Sequence, residues 1–152
     1  MKSSVIEKIQ KHAAKIRNGE HDKIGPGVPV TMSNALVAGE GVAQGDLNII
    51  VADSVPRGYV LIEKPQSRDK QLVPGNTVGA KHCLDSLAGV TLYRPEKWTE
   101  ESLDGPCLVL TQERTILHPT HGAVTIPAGM TVVCHYQREY DRELANERRA
   151  RD

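Results

Sequence analysis

The sequence predicts an all-β domain, a sandwich or partly closed barrel of short antiparallel strands, with an N-terminal helix and an extended arm ahead of it. Three observations carry this. The stretch from Gly105 to Tyr140 holds four apolar runs, Cys107–Leu110, Thr115–Leu117, Val124–Ile126 and Thr131–Cys134, each rich in β-branched or aliphatic residues and bounded by turn formers. Similar runs at Leu47–Val51, Tyr59–Glu63 and Val90–Tyr93 recur at the close spacing of sandwiches and barrels. No βαβ rhythm is present, and no Gly-rich phosphate loop follows a strand.

In chain order, residues 3–18 read as a helix. Ser4 and Glu7 fit a capping box, and Val5, Ile6, Ile9, Ala13 and Ile16 form a narrow apolar stripe that ends at Gly19. Lys8, Lys11, Lys15 and Arg17 make a solvated face. Residues 19–44 are punctuated by Gly25, Pro26, Gly27, Pro29, Gly39 and Gly41 and read as a linker or arm, in which Val28–Met32 and Ala35–Val37 could form short edge pairings. Gly45-Asp46 launches the first firm strand, Leu47–Val51, and Tyr59–Glu63 is the second. Pro65–Lys70 is a polar loop. Gln71–Val73 and Thr77–Leu84 are strand-like around Pro74-Gly75-Asn76, with Gly79-Ala80 permitting close backbone approach. Val90–Tyr93 follows, then a polar, acidic segment around Trp98. Pro127-Ala128-Gly129 is a tight turn between the last two strands. Gln137–Asp152 loses alternation and has the charge-dense composition of a short surface helix or frayed tail. The expected organisation is therefore 1–43 helix and arm, 44–140 β domain, and 141–152 charged tail.

Composition narrows the function classes. The chain has 152 residues, 19 Lys plus Arg against 19 Asp plus Glu, and no Phe. Zero formal net charge, and no interleaving of aromatic with basic residues, argue against a nucleic-acid backbone binder. A neutral surface lacks the repulsion that keeps copies apart. Cys83, Cys107 and Cys134 are odd in number and widely spaced, which is no disulfide framework. No apolar run reaches the length of a membrane span, and no signal-peptide core is seen, so a cytoplasmic location is expected.

Histidine is the candidate for chemistry. His118-Pro119-Thr120-His121 sits in a turn between strands, where two imidazoles can be aimed at one point. His135 and His82 lie at strand ends, and strand ends gather at the mouth of a sandwich or barrel. A metal site would thus draw on His118, His121, His135 and His82, holding zinc, iron or manganese, with Glu139 as a carboxylate acting on bound water beside His118 and His121. The plainer reading is that these histidines are structural.

Two resemblances add to this. Gly122-Ala123-Val124-Thr125-Ile126-Pro127-Ala128-Gly129 resembles the second motif of cupins, which implies a strand–turn–strand hairpin. Val132 stands where that motif carries its metal-binding histidine, one residue is missing between Gly122 and Pro127, and the first motif is absent, so no ligand set is carried over. Gln44-Gly45-Asp46, Val78-Gly79-Ala80-Lys81-His82, His121-Gly122 through Gly129, and Gln137-Arg138-Glu139-Tyr140-Asp141 together resemble a group of small bacterial and phage proteins of no assigned function. That group often reads Thr-Gly-His-Ala-His around Gly79. Of its two histidines only His82 stands here, and an activity that used the pair would be lost.

The expected function is non-enzymatic: a small β domain that assembles with itself or binds a protein partner through the N-terminal arm. The alternatives are a metal-dependent, cupin-like β-barrel enzyme and a sugar- or nucleotide-binding module.

Overall fold

A computed structural model describes residues 27–75, 81–99, 102–141 and 146–149. The strands are β1 (Val30–Thr31), β2 (Gly41–Gln44), β3 (Leu47–Ala52), β4 (Tyr59–Leu61), β5 (Cys83–Leu84), β6 (Val90–Pro95), β7 (Asp104–Leu110), β8 (Arg114–Leu117), β9 (Val124–Ile126), β10 (Thr131–Tyr136), β11 (Arg138–Asp141) and β12 (Asn146–Arg149). They form a large sheet in the order β2-β3-β10-β7-β6-β4, a small sheet β1-β9-β8-β5, and a separate pair β11-β12. Every pairing is antiparallel except β1 with β9, which is parallel.

Alternation builds the core. Along β10, Val132, Cys134 and Tyr136 are buried while Thr131, Val133 and His135 are only partly covered. A period of two therefore points one face of the strand inward. Leu47, Ile49, Leu92, Leu108 and Leu110 join them from the large sheet, and Leu84, Ile116, Val124 and Ile126 face them from the small one. A single apolar cluster thus lies between the two sheets. Each such side chain, fully buried, contributes about 1.5–3 kcal/mol relative to exposure.

The expected architecture departs from the structure at several points. Among the described residues there is no α-helix, and the one helical segment is a 3-10 turn at Ser67–Lys70. The all-β class thus stands on the described residues, and the expected N-terminal helix, residues 3–18, lies outside them. The described part of the arm is built into the sheets rather than extended from them. Val30 and Thr31, within the Val28–Met32 stretch expected to form an edge pairing, do so with Val124 and Thr125, while Met32 is buried in the core and Gly41 to Gln44 pair with β3. The backbone at Gly41 lies so close to the Ile49 carbonyl that a side chain would collide with it, which is why glycine serves there as a strand residue and not as a linker. Finally, β9 and β10 do not form the hairpin that the cupin likeness implies. The Pro127–Gly129 turn carries the chain from the small sheet to the large one. Gly129, at φ 87°, donates its N–H to the Leu110 carbonyl, and the Leu110 N–H returns to Met130.

The C-terminal stretch expected to be helical or frayed instead pairs Arg138–Asp141 with Asn146–Arg149 as antiparallel strands. Cross-strand pairing with the segment four residues further on overrides local helical composition, because strand preference is set by partners more than by intrinsic propensity.

Candidate functional site

Three of the four candidate metal ligands converge. The His82 and His118 rings lie 4.4 Å apart between centroids, His118 and His121 4.5 Å, and His82 and His121 6.5 Å with near-parallel planes. The fourth does not join them. His135 stands on the partly covered face of β10 and meets Asp104 of β7 at 3.4 Å. That hydrogen bond holds the Asp104 carboxyl below the usual carboxylate range, against the opposing effect of partial burial and with help from the His135 charge. Glu139 falls on β11, in the separate two-stranded sheet.

His82 is fully buried, and both ring nitrogens have partners. Nδ1 lies 2.8 Å from Gln44 Oε1, and Nε2 lies 3.1 Å from Asp46 Oδ1. The Gln44 amide nitrogen is committed as a donor to two carbonyls, Ile116 O and Gly122 O, each at 2.9 Å. Its oxygen must then be the acceptor, so His82 Nδ1 carries a hydrogen and donates it.

The hairpin that presents these partners follows from the sequence. Gln44 pairs with Leu47 across a two-residue turn, with Gly45 at φ 58° in the left-handed region where glycine is favoured. Both flanking polar side chains, Gln44 and Asp46, are buried toward His82. Gln44 belongs to the large sheet and Ile116 to the small one, so this side chain ties the two sheets together.

His118 is engaged in its own turn. Its Nδ1 accepts the backbone N–H groups of Thr120 at 3.1 Å and His121 at 3.2 Å, and lies 3.3 Å from the Thr120 hydroxyl. A nitrogen that accepts from backbone N–H is not protonated, so the neutral ring carries its hydrogen on Nε2. The turn leads into Gly122, whose backbone packs so closely on the Val28 carbonyl that a side chain there would collide with it.

This donor set does not suit a metal ion. A coordinated imidazole directs one lone pair at the metal and donates its other N–H. His82 uses both nitrogens internally, and the His118 Nδ1 that would donate is instead an acceptor. Among the described residues, no group of three or more His, Cys, Asp or Glu is arranged to hold a metal. Nor do the buried cysteines offer a nucleophile. Burial pushes the Cys107 thiol up to about 11 and raises Cys134 as well, so both remain protonated.

A second feature escaped the sequence. A cleft of about 620 Å³ opens beside β4, with Val60, Ile62, Leu72 and Leu92 among its apolar lining, Trp98 and Tyr136 as aromatics, and Arg68, Arg94, Asp69 and Glu96 as charges. Its residues come from segments far apart in the chain, so no local motif announces it. It adjoins a sheet edge that is open among the described residues, because β4 is the last described strand of the large sheet. Val60 is 36% exposed and Leu61 49%. The Ile62 N–H bonds to Leu92 O across β6. By antiparallel alternation, the N–H and C=O of Leu61 then point away from β6, onto the open edge.

Among the described residues, no helix is long and apolar enough to cross a membrane. Residues 43–136 match the family described as "Domain of unknown function (DUF8820)". No curated protein and no solved structure matches the chain.

Proposed function

The chain belongs to the DUF8820 family, and we propose that it is a non-enzymatic β domain that assembles with a second copy of itself through the β4 edge. The observation that carries this reading is the open edge of β4 with exposed Val60 and Leu61 beside a cleft of mixed apolar and charged lining. An edge strand with unmatched backbone groups and apolar side chains is a template for another strand. A two-fold interface brings one patch against itself, so the patch must be self-complementary. The cleft carries two arginines and two carboxylates, and such a mixed patch can meet its own image with opposite signs in register. The zero net charge of the chain adds no long-range repulsion.

The N-terminal arm extends this proposal as a further contact, although residues 1–26 lie outside the described ones. A bacterial or phage source belongs to the same proposal, on the resemblance set out above. So does a cytoplasmic location, which the three free cysteines suit.

Size-exclusion chromatography with light scattering tests the reading on the full chain. The expected result is a dimer that becomes monomeric in Leu61→Lys with an unchanged circular dichroism spectrum. A wild-type protein that stays monomeric into the millimolar range would overturn it. A second reading, a sugar- or nucleotide-binding module, draws on Trp98 together with the arginines and carboxylates of the same cleft. Quenching or enhancement of Trp98 fluorescence by mono- and dinucleotides or by simple sugars, with the protein monomeric, would favour that reading instead.

A further inference from the structure

The turn at 118–121 is closed by an acceptor that acid removes. His118 Nδ1 accepts two backbone N–H groups and stands within reach of the Thr120 hydroxyl. Asparagine and aspartate oxygens commonly take this place, accepting from the amides two and three residues on. An imidazole in that role differs in one respect: its acceptor lone pair is the site where a proton adds. We propose that the 118–121 turn is an acid-released latch on the joint between the two sheets.

A solvent proton added at Nδ1 converts the acceptor into a donor. The Thr120 and His121 amides lose their partner, and a positive charge appears on the ring. The titratable groups set around that ring, among the described residues, are His82 from the segment before β5, His121 from the same turn, and Asp46 behind His82 from the β2–β3 turn. Asp46 is itself engaged with the His82 ring. The turn leads into Gly122, whose carbonyl accepts from Gln44, and Gln44 also bonds the Ile116 carbonyl and the His82 ring. Opening the turn therefore withdraws one of the three contacts that fix Gln44 between the sheets. Stability contributed by the latch is present above the histidine range and lost as pH falls through it.

The test follows amide and ring signals of the full chain by nuclear magnetic resonance from about pH 7.5 to about pH 5.5, the span over which histidine changes charge. The Thr120 and His121 amides should titrate together with the His118 ring, and their protection factors should fall about tenfold, the scale of one lost hydrogen bond. His118→Asn keeps an acceptor of suitable reach but cannot take up the proton. Its melting temperature should then fall less than the wild type's over the same interval. Two results would overturn the proposal: a His118 ring that titrates while both amides stay fixed, or equal acid sensitivity of wild type and His118→Asn. If the variant does not fold, the wild-type amide titration decides alone.

Discussion

Replacing Gln44 with Leu removes the side chain that joins the two sheets while keeping its volume. Three groups lose a hydrogen bond at once: the His82 Nδ1–H, the Ile116 carbonyl and the Gly122 carbonyl, at 2.8, 2.9 and 2.9 Å, although Ile116 stays paired with Val124 across β8 and β9. His82 is wholly buried, as is Ile116, whereas Gly122 is partly covered and can recover some hydration. The buried His82 donor left unsatisfied costs about 1–3 kcal/mol and each carbonyl bond lost about 0.5–1.5 kcal/mol, so the substitution should cost ~2–5 kcal/mol. That is a large share of the ~5–15 kcal/mol by which domains of this size are stable. Urea unfolding followed by circular dichroism measures it, with Gln137→Leu as the control. Gln137 makes one long, partly exposed side-chain bond, Nε2 to Gly45 O at 3.2 Å, and should lose no more than about 1 kcal/mol. A Gln44→Leu cost as small as the control's would refute the argument that this buried network clamps the sheets.

Two other predictions rest on titratable groups. His135 depresses the Asp104 carboxyl, so this pair contributes stability above the usual carboxylate range that is lost as pH falls through it. Asp104 is 65% exposed and screened by solvent, and Asp104→Asn should flatten the acid limb of a stability–pH profile by well under about 1 kcal/mol. Of the three thiols, only Cys83 is even partly accessible, so an aromatic disulfide reagent should titrate one thiol per native chain and all three after unfolding.

Much of the strand pattern was legible because burial imposes a period of two. The runs Thr131–Cys134 and Leu47–Val51 fall within β10 and β3, where burial recurs at every second residue over Val132–Tyr136 and at Leu47 and Ile49. The assignment of strands to sheets was not legible. Pro127-Ala128-Gly129 is the same turn chemistry whether the chain doubles back or crosses between layers, and only the partners of β9 and β10 distinguish the two. The arm was legible only in part: Val28–Met32 supplies the edge pairing its composition allows, but the Gly41–Gln44 strand was hidden. Its glycines look like linker residues, yet Gly41 is required by close packing on Ile49.

At the site, the convergence of His82 with His118 and His121 could be raised from the sequence only as one option among several. The partners that settle the chemistry were hidden. Gln44 and Asp46 flank Gly45 and read as turn punctuation, while a hairpin with both polar neighbours facing inward makes them a cradle for a buried imidazole. Two polar residues separated by one glycine at a strand junction was the available signal. His135 was drawn in by its place at a strand end, but the outward phase of β10 separates it from the inward residues Cys134 and Tyr136.

The central claim, that β4 pairs with its copy, is tested most directly at a single amide. Leu61 N–H faces the open edge in the lone chain and would donate across the two-fold in the assembly. Hydrogen exchange of the Leu61 amide, measured across protein concentrations, should show protection that rises with concentration and disappears in a monomeric variant carrying Val60→Lys. Rapid exchange at Leu61 at every concentration, while the amides of β10 remain protected, would contradict it.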